Sequence, residues 1–449
     1  MSTTSKNSMD MTHGTLWNKI LIFALPLAAS SILQQLFNSV DTAVVGRFAS
    51  SQALAAVGSN GSLISLLINL FVGISLGSNV VIAHYIGQKS EKNIEAAIHT
   101  AIVVAIVSGF FVMILGQLIA KPVLLMMGTP EDVIDLAVVY LRIYLLGMPF
   151  IMLYDFGSSI LRSTGDSKRP LYSLVAAGVV NTLLNLVLVI YFKLSVAGVA
   201  IATVISNFVS SGIVIYILLH EDGPIRLELK KLAVAPAELK KILKIGIPAG
   251  LQGMMFSIAN VCIQSTINSF GSDAVAGSAA ALNYEFFSYF MVNAFAQTTV
   301  TFTSQNYGAG EKDRCKKIFR IGMAFSLVSC GLLSAVFVLF RGFFLGLYST
   351  DANVLVYANQ RILIATTLEL LTSIYEISAG AMRGLGHSLT PAIITFMGSC
   401  VLRLIWIATA CRAVHEFWVL MIIYPISWVV TGIAMMTAYC LLKRKLFKR

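Results

Sequence analysis

The sequence predicts an all-α integral membrane protein: twelve transmembrane helices in two six-helix lobes, related by a pseudo-twofold axis along the membrane normal. Three observations predict it. Charged residues make up only 12% of the chain and apolar ones 57%, whereas a hydrated globular surface needs roughly 25% charge. Twelve apolar runs are long enough to cross a bilayer. The second half of the chain repeats landmarks of the first.

A helix needs about 20 residues to cross about 30 Å of hydrocarbon. The runs fall at roughly 17–41, 53–82, 94–118, 132–160, 170–192, 196–219, 240–265, 275–303, 317–340, 353–381, 390–411 and 416–442. They are continuous rather than alternating, and too long for barrel strands, so helices are expected. The first run follows about fifteen polar residues and lacks a cleavage site of small residues, so it is expected to stay as a span. The organisation is then an N-terminal tail (1–15), a first lobe (16–219), a linker holding Pro224 and Pro236 (220–239), a second lobe (240–442) and a basic tail (443–449).

Charge sets the orientation. With the N-terminus inside, the inner loops and tails hold 24 of the 32 Lys and Arg, Lys6, Lys448 and Arg449 among them. The positive-inside rule therefore expects both termini in the cytoplasm. The net charge of +11 is spread over these loops, which argues against the clustered basic face of a nucleic-acid binder. The six cysteines lie in the second half, form no CxxC pair and mostly sit in apolar runs, as small packing residues do.

Internal repetition sets the architecture. Lys19-Ile20-Leu21 and Pro26 recur as Lys241-Ile242-Leu243 and Pro248, 222 residues on. Arg162, Gly165, Ser167 and Pro170 recur as Arg383, Gly386, Ser388 and Pro391, and Gly87 as Gly308, each 221 residues on. An even number of spans per repeat inserts both halves in the same direction, as in parallel-repeat transporters.

Ionisable groups inside hydrocarbon are costly and mark candidate sites. Asp41 lies toward the outer end of the first span, either as a functional acid or as an interfacial helix cap. Asp155 and Glu376 are repeat mates, each seven residues before the loop arginine. They are candidates for a gate or for structural neutralisation. Glu285 and Glu369 lie deeper, in the eighth and tenth spans, and Arg403 in the eleventh is a candidate partner for one of them. Span amides such as Gln34, Asn38, Asn181 and Asn185 suit either interhelical hydrogen bonds or a wet cavity. Phe37, Tyr284, Phe287, Tyr289 and Met291 beside them would suit a flat apolar cation, although each alone also suits core or lipid. No HExxH spacing and no Walker loop occurs. No metal centre, no cofactor and no enzymatic chemistry is expected, and energy should come from an ion gradient.

Val40-Asp41-Thr42 through Val45-Gly46-Arg47, the loop Gln305-Asn306-Tyr307-Gly308-Ala309-Gly310, and the twin segments Leu161–Asp166 and Met382–His387 resemble the multidrug and toxic compound extrusion (MATE) family. The resemblance covers about residues 15–440 and lies closer to the DinF-type than to the NorM-type branch. It implies a multi-pass protein of a prokaryotic plasma (inner) membrane, functional as a monomer. That protein would export cationic, often aromatic compounds in exchange for H+ or Na+ by alternating access. It further implies ion coupling at Asp41, Asn181, Asn185 and Thr203, with Na+ admissible at Asp41. Asn185 departs from members that carry an Asp there. The second-lobe acids of the NorM-type branch correspond to Phe256 or Ser257 and to Thr372, so that site is not preserved. Gln34, Asn38, Tyr284, Glu285, Phe287, Met291 and Glu369 are the expected cavity residues. The alternative, a lipid-linked oligosaccharide flippase, would need many intramembrane Lys and Arg to receive a pyrophosphate, and Arg403 is the main one expected here.

Overall fold

A computed structural model describes residues 9–447; Lys6, Lys448 and Arg449 of the charge argument lie outside the described residues. All regular structure among the described residues is helical. In chain order the long elements are α1 (Leu16–Phe48), α2 (Ser51–Gln88), α3 (Glu91–Met126), α4 (Glu131–Leu146 and Met148–Ser163), α5 (Lys168–Tyr191) and α6 (Ser195–Leu219). The second series is α7 (Pro236–Asn268), α8 (Ser272–Gly308), α9 (Lys312–Leu339), α10 (Ala352–Gly384), α11 (Leu389–Ala413) and α12 (Phe417–Phe447). Ten of these are long and apolar enough to cross a membrane as single helices, and the two segments of α4, bent by 46°, meet the same length and composition only when taken together. The bend falls where Pro149 withholds a backbone N–H. The polar-rich α8 has 37 residues, ample length for a twelfth.

On several helices, large apolar side chains face outward and small residues pack on the opposite face. On α3, Val107, Phe110, Phe111, Ile114 and Leu118 are exposed at helical spacing, while Ala97, Ala101, Ala105, Gly109 and Gly116 are buried on the other face. The mate α9 does the same: Val328, Leu332, Val336 and Leu339 point out, and Cys315, Gly322, Ser326, Cys330 and Ser334 point in. Small residues let neighbouring backbones approach where lipid offers no hydrophobic drive. Gly109 shows the consequence, since a Cβ there would lie 2.5 Å from the Cα of Pro149. Cys315 and Cys330 thus act as small packing residues.

The repeat is visible in the backbone. After α4, the amide of Asp166 donates to the carbonyl of Leu161 (3.2 Å) across Gly165, whose φ is +93°. After α10, the amide of His387 donates to Met382 (2.9 Å) across Gly386, at φ +82°. Both are helix stops of the same kind, and each needs a residue that tolerates left-handed backbone. The glycines of the repeated motif therefore have a conformational cause.

The chain divides into two compact units. One holds Met9, Asp10 and Ala29–Gly246; the other holds Met11–Ala28 and Ile247–Phe447. The first turns of α1 and α7 are each grouped with the opposite repeat. In the first unit α2 packs on α3 and α4; in the second α8 packs on α9 and α10, the same neighbours by mate. Within the first unit, Gly77 of α2 meets Gly246 of α7 so closely that a Cβ on Gly77 would sit 2.4 Å from the Ile242 carbonyl oxygen.

Candidate functional site

In the first unit, α1 continues past Asp41 to Phe48, so Asp41 caps no helix end. Its side chain is buried. Asn181 and Asn185 stand one turn apart on α5, and Asn185 is the last residue before a π-helical turn, Leu186–Tyr191. Such turns re-aim side chains and recur at functional sites. Asn185 Nδ2 donates to Asp41 Oδ1 and also reaches Asn181 Oδ1 at 3.1 Å. Thr203 on α6 has one hydroxyl proton and two acceptors: the Val199 carbonyl at 3.0 Å and Asp41 Oδ2 at 3.5 Å. The nearer carbonyl wins, which leaves Oδ2 with a weak contact. Asn185 Oδ1 is buried and accepts no hydrogen bond. The cluster therefore presents carboxylate, amide and hydroxyl oxygens together, donors suited to a hard cation or, at the carboxylate, to a proton.

Gly178 brings the two helices close enough for this. A Cβ there would fall 1.7 Å from the Phe37 ring. Phe37 lies one turn before Asp41, so its ring sets the approach of α1 to α5. Gln34 and Asn38, the expected cavity amides of this unit, are exposed side chains on the same stretch of α1.

The second unit encloses a cavity of about 210 Å³ lined by residues of α7, α8, α10, α11 and α12. Glu285 and Glu369 both face it. The partner of Glu285 is not Arg403, as expected, but Arg361: Nε donates to Oε1 at 2.7 Å and Nη2 to Oε2 at 2.8 Å. Nη1 of Arg361 donates to Ser278 Oγ at 2.6 Å, and the guanidinium stacks over Tyr424 at 5.3 Å. Arg361, 2% exposed, is thus a second buried base beside Arg403. An arginine inside the apolar run 353–381 was the signal for it.

Arg403 is held elsewhere, its Nε donating to Ser427 Oγ at 3.1 Å. Breaks in the helices place these groups. Arg361 precedes a π turn (Ile362–Thr366), Glu369 opens a 3-10 turn (Glu369–Leu371), and Arg403 follows a π turn (Phe396–Val401).

Tyr284, Phe287 and Met291 do not line this cavity. Tyr284 belongs to a core cluster with Phe337 and Leu345, its hydroxyl donates to the Phe344 carbonyl at 2.6 Å, and Phe287 packs against the same cluster. The cavity face of α8 is Leu282, Glu285, Phe286 and Tyr289, the i, i+3, i+4, i+7 stripe through Glu285. Of the α8 aromatics named from the sequence, Tyr289 lines the cavity and Tyr284 and Phe287 do not; helical phase from Glu285 separates them. Phe256 and Thr372, where the resemblance locates the missing acids of the NorM-type branch, also line the cavity.

Of the repeat mates Asp155 and Glu376, both half-buried, Glu376 accepts from the Tyr289 hydroxyl at 3.2 Å. Asp155 keeps Oδ2 buried without a hydrogen bond. Arg383, which lies in the last turn of α10 and not in the loop expected, donates to Gln252 at 2.7 Å.

A duplicated helical bundle with acids and amides enclosed inside each half has the build of a secondary membrane transporter. The MatE family model matches the chain twice, at residues 26–187 and 248–409, so both bounds recur at the 222-residue displacement of Pro26 and Pro248. The chain belongs to the MATE family of transporters. Among relatives, it is 30% identical to the "Probable multidrug resistance protein YoeA" of Bacillus subtilis, over 85% of this chain and 84% of that one. It is 24% identical to the "Probable multidrug resistance protein NorM" of Thermotoga maritima, over 86% and 84%. A solved outward-facing multidrug resistance MATE transporter superposes with a TM-score of 0.93 at 21% identity, covering all of both chains.

Proposed function

We propose that this protein is a secondary active multidrug exporter that exchanges small organic compounds, cationic and aromatic ones among them, for H+ or Na+ by alternating access. Asp41 carries the coupling ion. The observation behind this reading is the Asp41 carboxylate, buried among Asn181, Asn185 and Thr203 with one oxygen only weakly engaged. A bare carboxylate costs a few kcal/mol in hydrocarbon, so occupancy by a cation or proton changes the energy of the whole first unit. That difference is what a two-state transporter needs to choose a side. The kinship with proteins named for multidrug resistance supports the substrate class.

The carboxylate-amide-hydroxyl set favours the DinF-type coupling site over a second-lobe one. Glu285 is closed off by Arg361, and the positions that the resemblance assigns to the NorM-type acids, Phe256 or Ser257 and Thr372, carry no acid. Both termini face the cytoplasm of a prokaryotic inner membrane, and the monomer is the working unit.

The test is dye efflux from proteoliposomes with H+ and Na+ gradients imposed separately. Asp41→Asn should abolish gradient-driven efflux while the protein still inserts and binds dye. Full coupled efflux in that variant removes the assignment.

A further inference from the structure

Within the second-unit cavity, Arg403 is built as a receptor rather than as a structural cation. Its side chain is 1% exposed, yet Nη1 and Nη2 are buried and have no acceptor among the described residues. The remaining nitrogen is fixed: Nε donates to Ser427 Oγ, which itself donates to the Tyr424 carbonyl at 2.8 Å. The flat faces are fixed too. Tyr424 lies 4.7 Å and Phe256 5.5 Å from the guanidinium carbon. Anchored at one edge and packed against two aromatic rings, the group has its terminal fork left to offer, and Arg403 lines the cavity.

Arg361 provides the contrast inside the same cavity. Its fork is filled by the two oxygens of Glu285. The other acid there, Glu369, leaves Oε2 buried and without a hydrogen bond, so it does not close the Arg403 fork. A buried, half-satisfied guanidinium is costly, and the planar pair of N–H donors matches a carboxylate. Four more aromatic side chains, Phe286, Tyr289, Tyr375 and Trp428, line the wall, beside the amides of Asn260 and Gln264 and several aliphatic residues. At about 210 Å³ the cavity exceeds the roughly 150 Å³ that admits benzene, room for a bicyclic ring.

We propose that Arg403 is a specificity-determining anion subsite, which takes the carboxylate of a planar aromatic compound into the second-unit cavity between Tyr424 and Phe256. This goes beyond the coupling role of Asp41. It concerns binding alone, so it holds or fails independently of which residue couples the ion.

The experiment is calorimetric titration of the purified protein with 2-naphthoate and 2-naphthylmethylammonium. Wild type should bind the carboxylate at least about tenfold more tightly than the amine, and Arg403→Gln should lose that preference by about tenfold or more, as truncating a buried charge partner does. If Arg403→Gln does not fold, Arg403→Lys, which keeps the charge but not the planar fork, should give an intermediate loss. Equal binding of the two compounds by wild type overturns the proposal. So does naphthoate affinity that is unchanged in the Arg403 variants.

Discussion

Asp41 and Glu285 are both buried acids, and what surrounds their oxygens separates them. Asp41 has one oxygen tied to an amide and the other weakly held; Glu285 has both oxygens filled by Arg361. On the proposed reading the first exchanges an ion and the second is structural. Glu285→Gln should therefore destabilise the protein by about 3–5 kcal/mol, because it leaves Arg361 buried and uncompensated. Adding Arg361→Met to Glu285→Leu should recover most of that loss, since replacing both charges removes the desolvation cost as well. Thermal unfolding in detergent checks both, and a Glu285→Gln protein that melts with wild type rejects the structural role. The sequence showed which acids lay inside spans, but not their partners. Glu285 and Arg361 are 76 residues apart and on different helices, and no periodicity joins them. The assignment of Asn185 to Asp41, 144 residues away, came from the family resemblance and not from the residues themselves.

At the scale of the element, the Asp41 cluster depends on how closely α1 approaches α5. Gly178 permits that approach by leaving room for the Phe37 ring. Gly178→Ala should force the helices apart and cost about 1–3 kcal/mol through overpacking. It should also weaken ion-coupled efflux, because Asn185 is moved away from Asp41. Phe37→Leu in the same chain should restore stability and part of the efflux. Efflux unchanged in Gly178→Ala would show that the spacing does not matter to coupling. Long continuous apolar runs made the helices legible, and their ends and breaks less so. The runs at 17–41 and 353–381 marked α1 and α10, yet α1 extends to Phe48, and α10 contains a π turn and a 3-10 turn between Arg361 and Thr372. No Pro or Gly announces those breaks. Where such residues do stand, at Pro149 in α4 and at Gly165 and Gly386 after α4 and α10, the break follows the residue.

For the whole molecule, duplication is the organising fact, and it dictates topology. Each repeat carries an even number of spans, so loops at matched positions must emerge on one side of the membrane. Gln88, at the end of α2, and Ala309, just after α8, are such mates, and both side chains are exposed. With the six native cysteines replaced, Gln88→Cys and Ala309→Cys should each react with a membrane-impermeant maleimide only from the cytoplasmic side, in inverted vesicles and not in intact cells. The basic residues predict that side: Lys89 and Lys92 follow the first loop, and Lys312, Arg314 and Lys316 follow the second. An odd number of spans between the two positions, such as would arise if the bent α4 were a re-entrant loop and not a span, would place the two labels on opposite faces. Opposite labelling would then remove the common orientation of the repeats, and with it the reason for two matched units to share one transport cycle.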